Sequence, residues 1–201
     1  MRTTLAATLL LAATGLSGSA FAQASKDVTA VQAGTFAVDP DHTQVFWAVS
    51  HLGFSEYQGR FDKVTGSLVL DPKTPANDKL DVTIPVDGIN TPSTKLNGEL
   101  ASEQWFDAKQ FPTITFKSTK VVATGKDAAK VTGDLTMHGV TKPVTLDVKF
   151  LGAGPNPMFK VYTLGFLATG EIKRTDFGVK QYAPYIGDET RLTLNGAFLK
   201  Q

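Results

Sequence analysis

From Thr35 onward, apolar and polar residues alternate with period two in one short segment after another. This pattern constrains the fold more than any other feature of the chain. Val45, Trp47 and Val49 share one phase. Phe61 through Leu70 form a second run, with Gly66 inside it. Val82, Ile84 and Val86 alternate with Asp81, Thr83 and Pro85. The pattern repeats around Ile114 and Phe116, from Val131 to Met137, from Val144 to Phe150, from Leu164 to Gly170, and at Leu192 and Leu194. A period of two sends alternate side chains to opposite faces, so each segment predicts a half-buried antiparallel strand. Turn clusters separate the runs: Asp39-Pro40, Asp71-Pro72, Gly125-Lys126-Asp127, Gly139 to Pro143, Gly152 to Pro157 and Gly187-Asp188. About eight strands with short joins predict an all-β fold, a meander closed into an eight-stranded antiparallel barrel. At that strand number the interior is either packed with side chains or wide enough for one ligand.

One segment departs from the pattern. Between Ser93 and Ala108, Leu96 and Leu100 lie four apart and are followed by Trp105 and Phe106. The spacing predicts a short helical segment covering one end of the barrel, with Ser93 and Ser102 as candidate caps. Gly98 weakens it.

The start of the chain reads as a targeting signal. Arg2 supplies a positive charge, Leu5 to Leu16 an apolar stretch, and Ala20-Phe21-Ala22 an A-x-A end. Residues 1–22 are expected to be a secretory signal peptide cleaved after Ala22. Gly15, Ser17, Gly18 and Ser19 interrupt the apolar run before the roughly 18 to 20 residues a spanning helix requires. Residues 23–33, small and polar, are expected to form a flexible mature N-terminus, and residues 34–201 the barrel domain. No later stretch could span a membrane as a helix, so stable insertion is not expected, while transient membrane contact and a homodimer are both compatible with the sequence. Lys and Arg number 20 against 19 Asp and Glu. Without Arg2 the charges balance, and nothing steers the protein toward nucleic acid. The absence of Cys rules out a thiol nucleophile and a thiolate metal site.

Motifs for catalysis are missing. There is no G-x-S-x-G elbow, no H-E-x-x-H, no P-loop and no dinucleotide fingerprint. Asp176-Phe177-Gly178 matches a kinase tripeptide without any other kinase element. His42 and His138 fall in turns, and no set of three or four convergent metal ligands is visible. His51 continues the inward phase of Val45, Trp47 and Val49. It is either a rim histidine bonded to backbone or a polar contact for a buried head group. Phe54, on the loop that follows, is expected to cover something. Arg174 and Phe177, with Tyr182 and Tyr185 nearby, form either ordinary loop packing or a rim where Arg174 meets a polar head. The inward set Trp47, Phe61, Ile84, Phe116, Leu135, Leu146, Phe166 and Leu192 carries no charge. Whether it fills the tube or lines a hollow stays open. The expected ligand-binding residues are Val45, Trp47, Val49, His51, Phe54, Phe61, Ile84, Leu100, Phe106, Phe116, Leu135, Leu146, Phe166, Arg174 and Phe177.

Four stretches, in order across almost the whole chain after residue 22, carry a resemblance. They are His51 to Ser55 with Gly59-Arg60-Phe61; Trp105-Phe106-Asp107 with Phe111 to Ser118; Val131 to Thr136 with His138 to Val144; and Arg174 to Gly178 with Gly187-Asp188-Glu189. Together they resemble the YceI-like family. The resemblance implies an extended, lipocalin-like barrel that binds a polyisoprenoid or similar long amphiphilic lipid in the bacterial periplasm, without catalysis and without a cofactor. A polyisoprenoid or quinone-like lipid would be its ligand. Relatives often place His before the leucine of the helical segment; here Glu99 precedes Leu100, which implies a different head group if that position touches it. Two other readings remain. One is an accessory enzyme or redox-linked protein acting on a quinone or isoprenoid, with His51 as acid–base group. The other is a stress-related structural barrel with a filled core.

Overall fold

The alternating segments pair almost entirely with their chain neighbours, and the last returns to the first. The structure is a computed structural model and describes residues 24–201. Its strands are β1 (Gly34–Val38), β2 (Gln44–His51), β3 (Ser55–Phe61), β4 (Thr65–Leu70), β5 (Lys79–Pro85), β6 (Ile89–Asn90), β7 (Thr113–Ala123), β8 (Ala128–Met137), β9 (Val140–Pro155), β10 (Tyr162–Lys173) and β11 (Ile186–Lys200). One α-helix, α1 (Thr94–Leu100), lies between β6 and β7. The order β1-β4-β5-β7-β8-β9-β10-β11 closes through β1 against β11, giving an eight-stranded antiparallel barrel. β11 is long enough for two partners. Its end at Phe198–Lys200 pairs with β1, and its Ile186–Asn195 part pairs with β2. β2, β3 and β6 therefore extend the sheet beyond the closed ring at one end.

Phe61 through Leu70 is not one strand. The run breaks at Lys63, whose φ is 62°; β3 before the break pairs with β2, and β4 after it pairs with β1. The break lets two consecutive strands join different parts of the sheet. Two hairpins turn on two residues with left-handed backbones: Leu52-Gly53 (φ 56° and 72°) and His138-Gly139 (φ 51° and 75°). Such turns match the right-handed twist of the strands they join.

β6 ends after two residues, and residues 91–112 fill the space before β7 begins. Ser93 caps α1 by accepting from Leu96 N at 3.3 Å. Ser102 starts no second helix; its hydroxyl donates to the Glu99 carbonyl at 2.6 Å and closes the C-terminus of α1. Leu100 and Trp105 point into the barrel end and are buried, so the helical segment covers one end as its apolar spacing predicts. The segment before β1 touches the barrel at two points. Ser25 and Ala153 exchange backbone hydrogen bonds of 2.8 and 2.9 Å, and Val31 is buried. The expected signal peptide, residues 1–22, lies outside the described residues. Among those described, no helix is long and apolar enough to cross a membrane.

Candidate functional site

Inward side chains do not fill the barrel. Phe166, Leu192 and Leu194 point inward yet stay partly accessible because they border empty space. Two cavities occupy the interior. The helix-side cavity has a volume of about 310 Å³, at the small end of the roughly 300–1,000 Å³ typical of ligand sites. The far cavity has about 170 Å³.

Each wall follows from strand alternation. On β2, Trp47, Val49 and His51 line the helix-side cavity, while Val45 lines the far one. β3 contributes Tyr57 and Phe61, α1 contributes Leu96, Glu99 and Leu100, and the turns after it contribute Trp105 and Phe106. Phe61 and Phe106 meet edge to face at 5.6 Å, and Trp105 meets Tyr182 the same way at 6.1 Å. Leu146 and Phe166 line the far cavity, with Val82, Val131, Leu194 and Phe198. It is almost wholly apolar; Asp78 is its one ionisable residue. Burial, against a hydrogen bond from Asp71 N that lowers it and with the Asp71 charge adding to the rise, lifts the Asp78 carboxyl to a pKa of about 6.

Ile84, Phe116 and Leu135, expected in the binding set, line neither cavity. They are buried core residues. On β8, Val131 borders the far cavity and Met137 the helix-side one, with Leu135 between them. Ile84, Phe116 and Leu135 belong to the hydrophobic core, with Phe116 and Leu135 as cross-strand partners. Along β2 and β11 the cavities approach one another: Val45 and Leu194 border one, Trp47 and Leu192 the other.

Three further expectations change. Phe54 is 90% exposed and lies over an outer groove with Glu56, Lys173 and Arg191, not over the barrel interior. It sits in the turn between β2 and β3, and its strand phase carries it away from the lumen. Phe177 is fully buried in the core and lines no cavity; its carbonyl accepts from His138 Nδ1 at 3.2 Å. Arg174 does border the helix-side cavity, but its guanidinium is committed to backbone. It donates to the carbonyls of Gly187 (2.8 Å), Val179 (2.8 Å), Gln181 (3.1 Å) and Ile186 (2.6 Å). Burial lowers its pKa, and the Asp188 charge opposes that shift. Arg174 thus organises the 174–187 loop at the rim rather than presenting a free charge. His51 takes the inward position its strand phase predicts: it lines the helix-side cavity, 6.1 Å from the Tyr57 ring.

Several lining residues escape sequence reasoning. Tyr57 is in phase with Gly59 and Phe61, and starting that strand at Ser55 would have found it. Trp105 and Tyr182 come from turns, where no period exists to point them inward, and Ile186 opens β11. The indole nitrogens of Trp47 and Trp105 are buried without a hydrogen-bond partner. Trp47 lies flat over Gly59, its cross-strand partner, where a Cβ would fall 2.3 Å from the ring.

Comparison with known proteins agrees with this architecture. Residues 36–198 match the family model described as a YceI-like domain. A UPF0312 protein of Pseudomonas aeruginosa is 36% identical over 171 residues, covering 84% of this chain and 88% of the relative. Protein YceI of an Escherichia coli O6:H1 strain is 37% identical over 167 residues, covering 82% and 86%. Among solved structures, BcnA of Burkholderia cenocepacia superposes with a TM-score of 0.72 at 26% identity, covering 80% of this chain and 98% of that one. A domain from Saccharophagus degradans, described as polyisoprenoid-binding and implicated in plant cell wall breakdown, shares the fold with a TM-score of 0.61 at 16% identity, covering 85% and 100%.

Proposed function

This chain belongs to the YceI-like family, and from that premise we propose that it is a periplasmic carrier that holds a polyisoprenoid or similar long-chain amphiphile inside the barrel, without catalysing a reaction. The observation that carries this reading is the hollow, apolar interior in two spaces, the helix-side one reaching solvent beside Tyr182, which is 55% exposed. The polyisoprenoid-binding description of the fold neighbour from Saccharophagus degradans supports a ligand of this class.

The energetics suit a shuttle. Each CH₂ removed from water contributes about 0.8 kcal/mol, so a chain leaving a bilayer needs an equally dry destination. A barrel wall of Val, Leu and Phe supplies one at little net cost in either direction. Export through residues 1–22 would place the protein where such lipids are exchanged between membranes.

Loading takes place at the rim. Leu52, Phe54, Tyr182 and Tyr185 are 50%, 90%, 55% and 71% exposed. Leu52 N donates to the Tyr185 carbonyl at 2.9 Å, which joins the two loops that carry them. This apolar rim beside the cavity opening suits brief contact with a lipid surface.

The chain contains two tryptophans, and both line the helix-side cavity. Titration of the purified protein with a polyprenol therefore has a built-in reporter. A saturable change in tryptophan emission is expected. Unchanged emission from folded protein, with no polyprenol retained after gel filtration, would contradict the proposal.

A further inference from the structure

The two interior cavities meet on one wall, where consecutive inward tiers cross β10, β11 and β2. In one tier Gly170 of β10 pairs with Leu192 of β11, which pairs with Trp47 of β2. In the next, Ala168 pairs with Leu194, which pairs with Val45. Leu192 and Trp47 line the helix-side cavity, and Ala168, Leu194 and Val45 line the far one. Inward positions along a strand are two residues apart, so no further tier stands between the two spaces on this wall.

The first tier carries no side chain on β10. Gly170 holds the inward phase between Ala168, which lines the far cavity, and Ile172, which lines the helix-side one. Leu146 of the adjacent β9 uses the room. A Cβ on Gly170 would fall 2.6 Å from Leu146 Cδ2, while the nearest backbone atom, the Thr145 carbonyl oxygen, would be 3.5 Å away. The close approach is therefore to the free end of a side chain and not to the strand. Glycine inside a strand weakens it and marks an approach of this kind. Leu146 is itself buried and borders the far cavity. That cavity is where its methyl turns when it is displaced from Gly170.

We infer that the contact of Leu146 with Gly170 governs how far a ligand's tail runs along the barrel. With the methyl lodged over Gly170, a tail filling the helix-side cavity continues past Leu192 and Trp47 to Leu194 and Val45. With the methyl turned out, it takes the room that the end of the tail needs. A short chain, held wholly in the helix-side cavity, is indifferent to either arrangement. The inference rests on the carrier reading and names the residues that select chain length.

The test is Gly170→Ala, read with geraniol as the short probe and hexaprenol as the long one. Each displaces a fluorescent polyene fatty acid from the purified protein in a fixed detergent background. Gly170 lies outside the left-handed region, so alanine meets no backbone strain there, and an unchanged affinity for geraniol shows that the site is intact. Hexaprenol should bind about tenfold more weakly than to wild type, the loss expected when roughly two CH₂ groups return to water. In a Leu146→Ala background the added methyl meets no δ-carbon, so Gly170→Ala should there leave the ratio of the two affinities unchanged. Such a cycle isolates the pairwise contact. The ¹³C methyl shifts of Leu146 in Gly170→Ala give a second reading that needs no further variant: they should report a changed rotamer. An unchanged ratio in Gly170→Ala, an equal loss with and without Leu146, or an unmoved Leu146 side chain would overturn the inference while leaving the carrier reading intact. If neither probe binds folded wild-type protein, both fail together.

Discussion

The ring of Phe116 lies over Gly133 on the adjacent strand, so closely that a Cβ on Gly133 would fall 2.5 Å from Phe116 Cζ and 2.6 Å from the Lys117 carbonyl. The glycine makes room for the ring, which belongs to the core and lines neither of the two spaces. Phe116→Leu should therefore open space in the core. A volume change of this kind in a core costs about 1 kcal/mol, which the fold should tolerate. The longest polyprenyl chain retained should increase relative to wild type, as read by competition across a series of chain lengths. An unchanged length limit would show that Phe116 does not set it.

Gly133→Ala probes the same contact from the other side. The added methyl meets backbone as well as the ring, so the strand or the ring must shift. Overpacking of this sort costs roughly 1–3 kcal/mol. Urea unfolding should show that loss, and Phe116→Leu in the same chain should recover only the part due to the ring.

Arg174 holds four carbonyls from one buried guanidinium. Lysine offers a point charge without the planar fork. Arg174→Lys should destabilise the protein by about 3 kcal/mol or more, since charged hydrogen bonds contribute roughly 1.5–3 kcal/mol each and the losses are not additive. A Tm within a degree or two of wild type would remove the loop-organising role assigned to this residue.

Asp78 gives the fold a pH dependence of definite sign. Its carboxyl is raised from 3.8 to about 6 by burial, so the folded state keeps a proton that the unfolded state gives up. Its contribution is fully present below pH 3.8 and is lost as pH rises through about 6. Asp78→Asn retains an oxygen to accept from Asp71 N and removes the charge. The variant should gain stability at pH 7, and its advantage should vanish by pH 3.5. Thermal melts across that range read the difference; a variant less stable than wild type at pH 7 contradicts the sign.

At the rim, Phe54→Ser combined with Tyr185→Ser removes two exposed rings that line no part of the interior. Transfer of polyprenol from vesicles should slow several-fold while the affinity for polyprenol in detergent solution stays the same. Equal transfer rates would place loading elsewhere.

Most of the barrel is legible in the chain because its evidence is local. Each strand declares its inward face through period two, and Val45, Trp47, Val49 and His51 do face the lumen. What alternation cannot report is depth. Ile84, Phe116 and Leu135 share the inward phase of the cavity residues, yet they belong to the packed core and line neither cavity. Whether an inward side chain meets a neighbour or a void depends on its opposite number across the barrel, which is not a sequence neighbour. Turns are illegible for the opposite reason. Tyr182 and Trp105 reach the cavity from segments without a period. Phe54 and Phe177, equally apolar in loops, end up on the outer surface and in the core. Arg174 was readable as a rim residue, but two of its four carbonyl partners lie in a loop whose path no pattern announces and two at the start of β11.

The most direct test of the carrier reading is mass spectrometry of an organic extract from the mature protein, purified from a bacterial periplasm under native conditions, with the extract of a similarly purified unrelated periplasmic protein as control. An isoprenoid or other long-chain amphiphile near one equivalent per chain is the expected result. An extract no richer than the control, from folded protein that also retains no added polyprenol, would contradict the assignment.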